Sequence, residues 1–161
     1  MPGLPADSQA ILDKLLARTG FADAIRQFGI APEYAVGLYR IVLARQPKRM
    51  VEIGMANGAS TLAILSALAD LGGERLLISI DPGQSTQWRN VGLNNVQANG
   101  LAGWHRLIEA PDYLALPDLL QQHTQLDAAY VDGWHTFDYV LLDIFYLDKL
   151  LPVGSTTAAG A

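Results

Sequence analysis

The 161-residue chain contains no cysteine, so it can form neither a disulfide nor a thiolate-ligated zinc site. Positive charge is also sparse. Eleven Lys and Arg stand against sixteen Asp and Glu, for a formal net charge of −5 and a pI of about 5.0. Apart from Arg45, Lys48 and Arg49, which read as a solvated turn, the basic residues are scattered. This argues against a nucleic-acid binder, whose phosphate contacts need a concentrated positive face. No uninterrupted apolar run reaches the roughly 18 residues of a membrane span. The N-terminal "MPGLPADSQAILDK" lacks a basic start before an apolar stretch, which argues against a signal peptide. Internal repeats, low-complexity tracts and linkers are missing too. What remains is 50% hydrophobic and 17% charged, ordinary for one globular domain with a sizeable core. A single cytoplasmic domain is expected.

Two amphipathic helices are predicted first. "DSQAILDKLLART" carries Ile11, Leu12, Leu15 and Leu16 on one face and stops at Gly20; "APEYAVGLYRIVLAR" has Pro32 in its first turn and Val36, Tyr39, Val42 and Leu43 on one face. Strand and helix then alternate four times. The strands are "RMVEIG", "RLLISID", "HRLIEA" and "LDAAYVDG"; the helices are "ASTLAILSALADLGG", "TQWRNVGLNNVQANG", "YLALPDLLQQH" and "FDYVLLDIFYLDKLLPVG". Nearly continuous apolar strands fit a parallel sheet covered on both faces. The fold class is therefore α/β: a Rossmann-like, open, mostly parallel sheet with helices on both faces, preceded by N-terminal helices. The expected layout is one domain, with a helical cap over 1–48, an α/β core over 49–154 and a tail over 155–161 for which no element is assigned.

In such a sheet, ligands bind beyond the carboxyl ends of the strands. After the first strand, Gly54 and Gly58 flank a loop where a backbone can turn and a ligand can approach without meeting a Cβ; a plain turn is the equal alternative. Glu52 is a carboxylate in an apolar strand and needs a partner, either a ligand ammonium or a neighbouring protein group. After the second strand, Asp81 is placed to accept hydrogen bonds from ribose hydroxyls, or to serve as a turn residue before Pro82. After the third, Ala110 to Asp112 lie at the same edge, with Asp112 also suited to start the next helix. After the fourth, Asp132 and His135 stand together beside Trp134. A carboxylate and an imidazole there offer a general base, a metal ligand, or both. An Asp-Gly turn is the bland alternative.

Together these stretches resemble a class I S-adenosylmethionine-dependent methyltransferase of the small-molecule O-methyltransferase branch. Glu52-x-Gly54-x-x-x-Gly58-x-Ser60 is similar to that family's first motif and "SIDPG" to its second. "VGLNNVQANGL" resembles the helix after the second strand, and "AAYVDGWHTFDYVLLDIFYLDKLLPVG" the region around the fourth. The resemblance runs from about residue 33 to 154. It implies S-adenosylmethionine as cofactor, with Gly54 to Gly58 under its methionine part, Ser60 near its carboxylate, and Glu52 near its α-amino group. It implies Asp81 on the ribose and Ala110 to Asp112 by the adenine, although Pro111 departs from the family's small polar residue. Asp132 would face the transfer site and in metal-dependent members is a ligand, so a divalent ion such as Mg is an expectation at Asp132. His135 would lie near the acceptor. The implied activity is methyl transfer to a small-molecule acceptor, a hydroxyl above all.

The resemblance ends after Gly154, where members continue into further strands carrying acidic residues. "STTAAGA" supplies none, so the carboxyl-terminal strands are expected to be missing or incomplete, and a homodimer is expected to cover an exposed edge. Three other readings stay open: a non-catalytic or truncated relative that only binds cofactor, an NAD-dependent dehydrogenase, and a structural interaction module. Phe21, Phe28 and Tyr34 are candidates to line an acceptor pocket beneath the N-terminal helices, or else core residues.

Overall fold

The structure is a computed structural model that describes residues 6–27, 30–152 and 156–159. Three helices come first: α1 (Ala6–Leu16), α2 (Phe21–Gln27) and α3 (Pro32–Arg45). Strand and helix then alternate through β1 (Arg49–Ile53), α4 (Ala59–Leu71), β2 (Leu76–Ile80), α5 (Val91–Ala98), β3 (His105–Ile108), α6 (Asp112–Gln121), β4 (Ala128–Val131), α7 (Phe137–Leu150) and β5 (Thr156–Ala159). All strand pairs are parallel, in the order β3-β2-β1-β4-β5. The fold is the expected open α/β sheet with helices on both faces.

Three details differ from the sequence reading. The short α2 was not expected; at 7 residues it is too brief for a repeating apolar period. The helix expected from Thr86 starts at Val91, because Arg89 and Asn90 have φ of 50° and 59°, outside the helical region. The supposed tail contributes β5, paired Ala128↔Thr156 through Val131↔Ala159. Its Thr and Ala side chains carry almost no apolar alternation, so only pairing with β4 reveals it as a strand.

Strand alternation divides the interior into two cores. Met50, Leu77, Ala128 and Tyr130 face α1, α3 and α4 with Leu15, Leu38, Val42, Leu62 and Leu65. Val51, Ile53, Ile78, Ile80 and Ala129 face the other way, against Leu116 and Leu119 of α6 and Leu147 and Leu150 of α7. Helix α4 is buried at every position from Ala59 to Leu68, which explains its uniformly apolar sequence. Burying each such Leu or Ile is worth about 1.5–3 kcal/mol. Within the described residues, no helix is long and apolar enough to cross a membrane.

The N-terminal helices lie on the α4 side, and none of their described residues lines the cavity described below. Phe21 is wholly buried in the first core and Tyr34 is exposed. Neither belongs to the cavity described below. Phe28 lies outside the described residues.

Candidate functional site

Strand order reverses between β1 and β4, the place where an open α/β sheet accommodates ligands. A cavity of about 580 Å³ opens there, between the carboxyl ends of β1, β2 and β4 and the first turns of α6 and α7. Gly54, Asp81, Asp112, Asp132 and His135 line it. The sequence brought these five to one rim, and the structure places them around one space.

Three loops are tied closely at its floor. The Gly54 amide donates to Ile80 O at 2.9 Å, and the Asp132 amide to Ile53 O at 2.8 Å, extending the sheet ladder past the strand ends. Gly54 has φ of +88°, and a Cβ there would stand 2.3 Å from the Asp132 carbonyl oxygen. The β1 and β4 loops touch backbone to backbone, so only glycine fits. Gly58 serves packing instead: its Cβ would meet Gly92 Cα at 3.1 Å, where α4 crosses α5. It does not line the cavity.

Asp81 organises the β1 loop. Its Oδ2 accepts the amides of Met55 at 3.1 Å and Ala56 at 2.7 Å, with Gln84 Nε2 at 3.3 Å. Its Oδ1 accepts only the Gly83 amide, at 2.8 Å, among the bonds found, and so retains acceptor capacity. These bonds hold the β1 loop around a left-handed residue: Ala56 has φ of 48°, a strain of about 1–2 kcal/mol for an alanine. Gln84 Nε2 also reaches Ala56 O at 2.6 Å. Gln84 is fully buried, and nothing in the sequence pattern signalled its role.

Glu52 and Ser60 turn away from the cavity. Glu52 alternates onto the α4 face, wholly buried. Ser60 Oγ donates to it at 2.6 Å, Thr61 Oγ1 at 2.8 Å and Ser79 Oγ at 2.6 Å. Its partners are protein hydroxyls, the second of the two possibilities left open by the sequence, and neither Glu52 nor Ser60 lines the cavity. Burial pushes the Glu52 carboxyl up to about 7, against the lowering effect of the three hydroxyls. His105 Nε2 lies 2.9 Å from Ser79 Oγ, and burial pushes this imidazole down to about 4.

On the β4 side, Asp132 Oδ2 accepts the Tyr130 hydroxyl at 3.1 Å, and its Oδ1 lies 3.7 Å from His135 Nε2. Burial and the nearby Asp132 carboxylate raise the Tyr130 phenol, which therefore remains a donor. His135 is two-thirds exposed at the mouth. No group of three or more His, Cys, Asp or Glu side chains suited to a metal ion occurs among the described residues. Asp132 and His135 alone do not fit Mg²⁺, which asks for near-octahedral oxygen coordination, so the expected metal role of Asp132 lacks its partners.

Beyond β3, Asp112 begins α6 and its Oδ1 accepts the Tyr113 amide at 2.7 Å. Ala110 packs against the second core and does not line the cavity. Aromatic rings form one wall: Trp134 and Tyr139 have centroids 6.3 Å apart, and Tyr139 and Tyr113 meet edge-on at 6.1 Å. Trp88 and Pro82 complete the β2 side. In the sequence Tyr113 and Tyr139 are ordinary helical residues; they reach the cavity because they sit in the first turns of α6 and α7.

The sequence model of a methyltransferase domain matches residues 51–159. No curated protein matches. Among solved structures, the SAH-bound methyltransferase PaMTH1 of Podospora anserina aligns with 98% of this chain at 19% identity and TM-score 0.69. The O-methyltransferase TomG of Streptomyces achromogenes, involved in tomaymycin synthesis and solved with SAM, aligns with 92% at 20% identity and TM-score 0.71. An O-methyltransferase of Bacillus cereus in complex with SAH aligns with 97% at 15% identity and TM-score 0.72. This chain spans 62%, 64% and 67% of their respective lengths.

Proposed function

The chain belongs to the methyltransferase-domain family, and on that premise we propose that it binds S-adenosylmethionine in the cavity at the β1–β4 switch point and transfers its methyl group to a small-molecule acceptor, through a hydroxyl. The observation that carries this reading is the convergence of Gly54, Asp81, Asp112, Asp132 and His135 on one 580 Å³ space. That is ample for a cofactor-sized ligand. The solved relatives bound to SAM or SAH support the choice of cofactor.

The sulfonium of the cofactor supplies an already activated methyl group. The chain's residues then have to hold, align and deprotonate. Asp81 Oδ1 accepts from the ribose hydroxyls while Oδ2 stays with the loop amides. The Gly54 backbone passes beneath the methionine portion. Glu52 and Ser60 act indirectly, by fixing the start of α4 behind that loop. The aromatic wall of Tyr113, Tyr139 and Trp134 offers flat apolar surface to the base and the acceptor. His135, with Asp132 beside it, takes the acceptor proton. Among the described residues the donor set at Asp132 does not fit a divalent ion, so deprotonation falls to the side chains themselves.

A second reading, cofactor binding without transfer, is favoured by that same sparse donor set. Isothermal calorimetry with S-adenosylhomocysteine, with NAD as the control, tests binding. Micromolar affinity for the first and none for NAD supports the methyltransferase reading, and the reverse sinks it. A methyl-transfer assay over hydroxylated acceptors then separates the two readings. A homodimer is proposed as well, supported by the outer position of β5 and by exposed Phe137, Leu141, Ile144 and Phe145 on α7; a monomer in sedimentation would remove it. The cysteine-free composition supports a cytoplasmic setting.

A further inference from the structure

Behind the cavity wall, two carboxyl groups meet without a cation. Asp112 lines the cavity from the first turn of α6. Asp143 lies on α7, is wholly buried, and faces Asp112. Neither Asp143 oxygen finds a hydrogen-bond partner among the groups that carry fixed protons. A buried carboxylate in that position is costly. A proton on Asp143, donated to Asp112, removes one of the two buried charges and joins the pair by a hydrogen bond.

Among the described residues neither carboxyl has an ion-pair partner, and the titratable groups that share the cavity lining with Asp112 are Asp81, Asp132, His135 and the phenols of Tyr113 and Tyr139. Lys149 is the one cation on either helix, and it is exposed, over the Phe145 ring. Asp118, Asp138 and Asp148 are exposed, and Tyr113, Tyr139 and Tyr146 are phenols. The strand residues beneath, Val51, Ile53, Ile78 and Ile80, are apolar.

We propose that Asp143 is a positioning residue: it keeps its proton, donates it to Asp112, and so fixes the Asp112 carboxylate as an acceptor for a ring-bound amino group in the cavity. Resting on the reading above, that amino group is the one on the cofactor's adenine. Burial and the Asp112 charge push the Asp143 carboxyl up to about 7, and burial also raises Asp112. Above that pH the bridging proton leaves, two buried anions face each other, and the acceptor geometry is lost. Ligand affinity is therefore highest below pH 7 and falls as pH rises through it.

The test is calorimetry at pH 6 and 8.5 with two probes, S-adenosylhomocysteine and S-inosylhomocysteine, whose ring carries an oxygen in place of the amino group. If the competent form shrinks with a midpoint of about 7, wild-type affinity for the first probe falls roughly 10- to 30-fold between the two pH values. Asp143→Asn retains an N–H donor that does not titrate. Its affinity should change less than about twofold over that range, while preference for the amino-bearing probe persists. Asp143→Ala, shown folded by its melting transition, should lose that preference. Wild-type binding that is flat with pH, or an Asp143→Asn variant that keeps the wild-type slope, overturns the proposal but leaves the methyltransferase reading standing. No binding of S-adenosylhomocysteine at either pH overturns both.

Discussion

Replacing Glu52 with Gln should make the chain's stability less dependent on pH, by an amount the structure sets. Glu52 is completely buried and its carboxyl is raised from 4.5 to about 7. A raised carboxyl means that the folded state binds the proton more tightly than the unfolded state. The stabilisation is fully present below the unfolded value, about 4.5, and is lost as pH rises through the folded value, about 7. The gap is worth about 3 kcal/mol in full, at 1.36 kcal/mol per decade. Between pH 5 and pH 8 it amounts to about 2.5 kcal/mol. Glutamine has the same shape and does not titrate. Ser60, Thr61 and Ser79, which now donate to the carboxylate, can each rotate a hydroxyl to meet the amide. The assay is urea denaturation of wild type and Glu52→Gln at pH 5, 6, 7 and 8. The difference in unfolding free energy between the two should shift by about 2.5 kcal/mol in favour of the variant across that range. The Asp143 contribution is common to both proteins and cancels. Parallel stability curves would refute the reasoning, since Glu52 would then be no more costly to ionise when folded than when unfolded.

Three further outcomes are expected. Gly54→Ala places a Cβ 2.3 Å from the Asp132 carbonyl oxygen at φ of +88°, so the β1 and β4 loops must separate; denaturation should show a loss of about 2 kcal/mol or more, with S-adenosylhomocysteine binding abolished in calorimetry. Asp81→Asn turns an N–H toward the amides of Met55 and Ala56 or of Gly83; a loss of about 1–3 kcal/mol in denaturation is expected, and unchanged stability would mean that the loop does not depend on this carboxylate. His135→Ala, at the exposed mouth of the cavity, should leave stability within about 0.5 kcal/mol and cofactor affinity intact, while the rate of methyl transfer falls about 10²- to 10⁴-fold. An equal loss of affinity would assign His135 to binding instead.

The sequence by itself determined the alternation of strands and helices, because period and turn residues are local signals that neighbouring side chains express directly. It also determined which loops carry Gly54, Asp81, Asp112, Asp132 and His135, since each follows an apolar strand within a few residues. It did not reveal β5, whose Thr and Ala residues become a strand only through the ladder with β4. Nor did it tell which side of the sheet Glu52 faces. A period of two leaves that choice open until one face is covered by α4, whose Ser60 and Thr61 receive the carboxylate. The meeting of Asp112 with Asp143 belongs to tertiary structure in the same way. The two lie on separate helices, each ordinary as a helical aspartate, and become a proton-sharing pair only when α6 and α7 pack side by side over one apolar layer. Local pattern says where a chain turns and which residues it buries. Which buried groups touch depends on how distant elements settle against each other, and that decides their charge.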